Sequence, residues 1–177
     1  RLFLLVKGDV VDDFAEFELA ESDVEAVVIG GAEERFTYEN VNRAFQLIMD
    51  GAELVAIHRN RYWRTARGLQ IDAGAYVAGL EYATGVAATV VGKPSSQFFN
   101  LALADLGLPS DRVLVVGDDV DTDIRGGRLI GAITVLVKTG KFCPADLERA
   151  DVQPDVVIES IRELPGYLQE ANAKGEA

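Results

Sequence analysis

The sequence predicts an α/β fold, a mostly parallel sheet with helices on its faces. Short apolar runs alternate with amphipathic stretches along the whole chain, as strand–helix repeats do. Glycines close most of these stretches, where strands and helices need a turn or a left-handed cap. Hydrophobic residues make up 49% of the 177 residues and charged residues 26%, so the chain can bury a core.

Leu2–Lys7 reads as a strand ended by Gly8-Asp9, and a polar stretch with Asp12, Asp13 and Glu16 follows. Ala26–Ile29 is a buried-type strand closed by Gly30-Gly31. Val41, Ala44, Phe45, Ile48 and Met49 fall on one face of a helix over 38–50, which Gly51 stops. A strand over 53–58 leads into an irregular, Arg-rich stretch, 59–70. Residues 71–84 form a helix once past Gly74, ended by Gly85. A short strand over 88–91 runs into Gly92-Lys93-Pro94, and Ser95 and Ser96 open a helix through Leu106. The remaining elements are strands at 112–116, 134–138 and 156–158 and helices at 123–130, 145–149 and 160–169. The polar tail, 171–177, is expected to fray.

Composition excludes several classes. Seventeen Lys and Arg against 29 Asp and Glu give −12, which argues against a nucleic-acid or anionic-membrane surface. No apolar run approaches the ~18 residues of a spanning helix, and no signal-peptide pattern is present. The single cysteine, Cys143, precludes an intrachain disulfide and fits a reducing cytoplasm. The chain opens on Arg rather than Met, a hint that residues precede it. A domain boundary is expected near 86–92, where an Arg-rich region gives way to an Asp-rich one.

The strongest chemical signal is Gly117-Asp118-Asp119-Val-Asp121-Thr-Asp123 behind an apolar strand. Ligands bind beyond the carboxyl ends of parallel strands, and Mg²⁺ is held by one or two carboxylates with water and substrate phosphate. One carboxylate suffices to cap the next helix; four clustered carboxylates favour a cation. A calcium hand fits poorly, because Ile124 and Ile130 stand where that loop needs Gly and Glu. The second signal is Gly92-Lys93-Pro94, a lysine at a strand-to-helix junction. A lysine and an aspartate cluster on two strand ends suit phosphoryl transfer, where positioning and charge neutralisation dominate. The third is residues 58–67, which hold four of the twelve arginines (among them Arg59 and Arg61), the only His and the only Trp. They read as a surface that recognises an anionic substrate or holds a partner, or as a solvated hairpin or loop edge; His58 and Cys143 read as structural.

These residues resemble a family. Gly92-Lys93-Pro94, Gly117-Asp118-Asp119 with Asp123, and Val137-Lys-Thr-Gly-Lys141 are similar to the second half of a haloacid dehalogenase (HAD) superfamily phosphatase. Arg61-Tyr62-Trp63, Gly68-Leu69 and Leu80-Glu-Tyr-Ala83 resemble the subgroup with a large α/β cap. The resemblance implies a cap over residues 1–87 and the C-terminal half of a Rossmann-like core over 88–177. It implies that Lys93 binds the transferred phosphate and that Asp118, Asp119 and Asp123 ligate or support Mg²⁺. Arg59 and Arg61 would face a small phosphorylated substrate, and the cap would pair two copies into a homodimer.

The family's Asp-x-Asp nucleophile motif on the first core strand, and the Thr, Ser or Asn on the next, have no match here. Asp9-Val-Val-Asp12 has the wrong spacing. The expectation is therefore a Mg²⁺-dependent phosphatase working through an aspartyl phosphate in the full-length parent, with these 177 residues inactive alone. The alternative is a non-catalytic binding or dimerisation module of the same fold.

Overall fold

The structure, a computed structural model, describes residues 1–174, save the side chains of residues 172 and 174. The chain divides into two compact units, Arg1–Gly92 and Lys93–Ala177. The division falls after Gly92 rather than after residue 87, because Thr89–Val90 pair with Val55–Ala56 and so belong to the first unit's sheet.

In the first unit, β1 (Leu2–Leu5), β2 (Ala26–Ile29), β3 (Glu53–Ala56) and β6 (Thr89–Val90) form a parallel sheet in the order β1-β2-β3-β6. Side chains alternate between its faces. Phe3, Leu5, Val27, Ile29, Leu54 and Ala56 pack with Ala44, Leu47 and Ile48 of α1 (Tyr38–Met49) and Val77 and Leu80 of α2 (Ala73–Thr84). On the other face Leu4, Val6 and Val28 meet Val10, Val11 and Phe14 from the 3-10 turns over Gly8–Phe14. Thr37 caps α1 by accepting from the Asn40 backbone N–H, and Asp72 caps α2 by accepting from that of Ala73. The Arg-rich stretch is a hairpin, not an irregular loop: β4 (Tyr62–Thr65) pairs antiparallel with β5 (Gly68–Ile71).

The second unit holds a three-stranded parallel sheet, β7 (Leu114–Gly117), β8 (Ile133–Val137) and β9 (Val156–Ile158). Leu136 faces Val120 and Ile124, while Val135 and Val137 face the opposite side with Ile158. Its helices are α3 (Ser96–Leu106), α4 (Arg125–Leu129), α5 (Pro144–Arg149) and α6 (Leu164–Lys174). The helix expected over 123–130 begins earlier, as a π-helical turn over Val120–Ile124, because Asp119 caps it. Helix α6 runs through Ala171, which is buried, so the fraying expected from 171 does not begin there; 175–177 lie outside the described residues. Before the strands start to pair, Thr134 and Asp155 lock together. Thr134 donates its N–H and its hydroxyl to Asp155 Oδ2, both at 2.8 Å, and its hydroxyl accepts from the Asp155 N–H at 3.1 Å.

Among the described residues no helix is long and apolar enough to cross a membrane.

Candidate active site

The sequence-predicted lysine and aspartates fall in the second unit, at the carboxyl end of β7. Asp119 is extended, and its Oδ1 accepts from the N–H groups of Asp121 at 3.0 Å and Thr122 at 3.2 Å. This bends the chain so that Asp123 returns beneath the strand end. Gly117 makes room: a Cβ there would lie 2.3 Å from that of Asp123. Asp123 is only 7% exposed. A buried carboxylate needs a cation and donors. Lys93 Nζ donates to its Oδ1 at 2.7 Å, and the Asp119 N–H donates to its Oδ2 at 3.3 Å.

A residue without an assigned role in the sequence reading completes the cluster. Strand β8 lies beside β7, so the turn Thr139-Gly140-Lys141 beyond β8 reaches the same end of the sheet. Gly140 has φ +62°, and a Cβ there would sit 1.9 Å from Asp118 Oδ2. Only glycine admits that approach. The Lys141 N–H donates to Asp118 Oδ2 at 2.5 Å, and its ammonium to Asp119 Oδ2 at 2.6 Å. Burial works against the charge on Asp119. The Lys141 ammonium and the two capping N–H groups outweigh it and hold the carboxyl below the usual carboxylate range. The signal for Lys141 was its place at the end of a strand neighbouring the aspartate-bearing one.

The four aspartates of the motif therefore divide. Asp118, Asp119 and Asp123 turn toward Lys93 and Lys141, whereas Asp121 is exposed and sits 3.5 Å from Arg125. Three carboxylates against two ammonium groups leave one net negative charge. Among the described residues, no three or more His, Cys, Asp or Glu side chains form a metal shell. Mg²⁺ needs only one or two carboxylates, with water and phosphate completing its octahedron, so the hard donors of Asp118 and Asp119 fit it.

Arg59 and Arg61 lie in the first unit. Arg59 pairs with Glu81 at 2.5 Å, and the Arg61 guanidinium stands 5.8 Å from the Tyr62 ring centroid. Neither lines the cleft of about 950 Å³ beyond the carboxyl ends of β1 to β3; Arg67, His58 and Trp63 do. Cys143 is partly buried and starts α5.

A parallel sheet with a lysine and paired aspartates at its strand ends is an arrangement suited to handling a phosphate group. Residues 90–164 match the family model described as HAD-hydrolase-like. Over these residues the chain is similar to the haloacid dehalogenase-like hydrolases. It is 40% identical over 163 residues to phospholysine phosphohistidine inorganic pyrophosphate phosphatase of Xenopus laevis, covering 91% of this chain and 60% of that protein. It is 42% identical over 160 residues to human haloacid dehalogenase-like hydrolase domain-containing protein 2, covering 90% of this chain and 61% of that protein. The chain thus spans about six-tenths of the length of these curated relatives. Among solved structures it resembles 4-nitrophenylphosphatase of Thermotoga maritima, with TM-score 0.86 and 31% identity over 94% of this chain and 64% of that one. It also resembles a glycerol phosphate phosphatase of Mycobacterium tuberculosis solved in complex with magnesium, with TM-score 0.81 and 29% identity over 93% of this chain and 51% of that one.

Proposed function

We propose that these residues form the phosphate- and metal-supporting part of a Mg²⁺-dependent phosphatase acting on a small phosphorylated compound through an aspartyl phosphate. The observation that carries this reading is the pairing of Lys93 with Asp123 and of Lys141 with Asp119 around Asp118, at the carboxyl end of β7. Lys93 keeps 45% of its side chain exposed, so its ammonium, anchored by one hydrogen bond to Asp123 Oδ1, has further N–H donors for a phosphoryl oxygen. Asp123 is a positioning residue, because its carboxylate is turned to Lys93 and the Asp119 N–H. Asp118 and Asp119 would hold Mg²⁺, which when bound neutralises charge on the phosphoryl oxygens. Lys141 holds the Asp119 carboxyl low with its ammonium and orients Asp118 with its backbone N–H. We place the first unit as the cap, the second as the C-terminal half of the Rossmann-like core, and two copies paired through the cap.

The attacking carboxylate has no counterpart among these residues, since covalent catalysis needs a nucleophile in line with phosphorus. The 177-residue chain alone is therefore expected to give no Mg²⁺-dependent release of 4-nitrophenol from its phosphate. Measurable turnover abolished by EDTA would overturn the division of labour proposed here. In the full-length parent, Lys93→Ala is expected to lower kcat/KM by about 10²-fold or more, the scale of losing one preorganised charge contact. A loss under about threefold would remove Lys93 from the site.

A further inference from the structure

We propose that the first unit carries its own small-molecule site, the cleft between the carboxyl ends of β1 to β3 and the β4–β5 hairpin, and that it takes an aromatic amine. The proposal lies wholly within residues 1–92 and does not depend on the phosphatase reading.

The cleft is the right size and in the right place. A volume of about 950 Å³ holds a drug-sized molecule, and parallel sheets bind ligands beyond their carboxyl ends. Gly30 and Gly31 end β2 without side chains and so keep the floor open. The walls offer flat apolar surface. Trp63 lines one side, and Phe36 and Tyr76 lie stacked, ring centroids 3.7 Å apart.

Charge selects the ligand's sign. Asp9, Glu33, Glu34 and Asp72 line the cleft against Lys7 and Arg67, and Lys7 is already paired with Glu33 at 3.3 Å. Carboxylates outnumber cations there, although the neighbouring sequence is the most arginine-rich of the chain. An anion is disfavoured, and an ammonium beside aromatic faces is favoured.

His58 supplies the polar contact. Its Nδ1 is buried without a hydrogen-bond partner, a state native proteins rarely keep. Asp72 Oδ2 stands 3.9 Å away, too far for a hydrogen bond but near enough for a small ring rotation to close. Asp72 cannot drift, because its Oδ1 accepts from the Ala73 N–H at 2.7 Å as the cap of α2. Once Nδ1–H bonds to Asp72, the imidazole is fixed in the tautomer whose Nε2 accepts. An acceptor in an acid-rich aromatic cleft calls for a donor on the ligand, which an amine provides.

The chain provides its own reporters, because its only His and its only Trp both line this cleft. Titrating the 177-residue chain with benzylamine is expected to give saturable changes in Trp63 emission and in the His58 ring NMR signals. The His58 ¹⁵N shifts should move to the Nδ1–H tautomer. Benzoate, of similar shape and opposite charge, should bind at least about tenfold more weakly. In Gly31→Leu the new side chain enters the cleft, its Cβ 3.7 Å from His58 Nε2, and binding should fall about tenfold or more with the circular dichroism unchanged. His58→Gln, read through Trp63, guards against a misfolded Gly31 variant and should weaken benzylamine by about fivefold while leaving benzoate unaffected. No saturable change with benzylamine up to solubility, equal binding of benzoate, or undiminished binding by the folded variants would overturn the proposal.

Discussion

The two units are built from the same strand–helix repeat but cover their sheets differently. In the first, three of the four residues of β1 and three of β2 are buried, with helices on one face and the 3-10 turns on the other. In the second, every residue of β7 is only half-buried, and it is hydrogen-bonded to β8 alone among the described strands. Leu101 and Leu106 of α3 are exposed as well. The first sheet rests on apolar packing. The second relies more on polar ties: Thr134 to Asp155, Lys93 to Asp123, and Lys141 to Asp118 and Asp119. The unit with the thinner core is the one that concentrates charge at its strand ends.

Truncations test this contrast. Leu5→Ala removes a side chain with no exposed surface and should cost about 3 kcal/mol, within the usual range for core leucines. Denaturant titration followed by Trp63 emission reads it directly, because that Trp belongs to the first unit. Asp155→Ala should cost about 2 kcal/mol, because it removes the carboxylate that accepts from both the buried Thr134 hydroxyl and its N–H. Hydrogen exchange of the β8 amides is the measurement. Val116→Ala, on the half-buried β7, should cost only about 1 kcal/mol by the same exchange measurement. If it cost as much as Leu5→Ala, the contrast between the sheets would fail.

Acid sharpens the comparison further. Burial disfavours the charge on Asp155, but the Thr134 donors and the Arg128 guanidinium outweigh it and lower its pKa. A carboxylate held low in the folded state stabilises fully above its unfolded value of about 3.9, and that stabilisation is lost as pH falls through the folded value. Protection of the β8 amides should therefore decline below about pH 4. In Asp155→Ala the acid limb should be shallower. An unchanged limb would remove Asp155 from the account.

Much of this was legible in the sequence for specific reasons. Runs such as Val27-Val28-Ile29 are apolar because both faces of their strand are covered, so they read as strands at once. Helix α1 declared itself through one apolar face and the Gly51 that stops it, whereas its Thr37 cap emerged only in the structure. The β4–β5 hairpin did not, because Trp63, Leu69 and Ile71 all remain exposed and no buried face imposes a period of two. Lys93 and Asp123 could be proposed from type and context. Lys141 could not be paired with Asp119 without knowing that β7 and β8 are neighbours. The orphaned Nδ1 of His58 is likewise a matter of packing, invisible to spacing.

The lock between Thr134 and Asp155 has a consequence for how the second sheet finds its alignment. The two residues stand one position ahead of the first paired couple, Val135 with Val156. Sliding β9 by one residue would turn Ile158 out of its apolar cluster, since neighbouring side chains point to opposite faces. The same slide would leave a hydroxyl and an amide in the dry interior with nothing to bond. Apolar stickiness alone distinguishes poorly between Val156 and Ile158 against Val135, because both are β-branched and lie on the same face. One threonine and one aspartate act as an index pin, making a single alignment of these interchangeable residues the one the chain adopts.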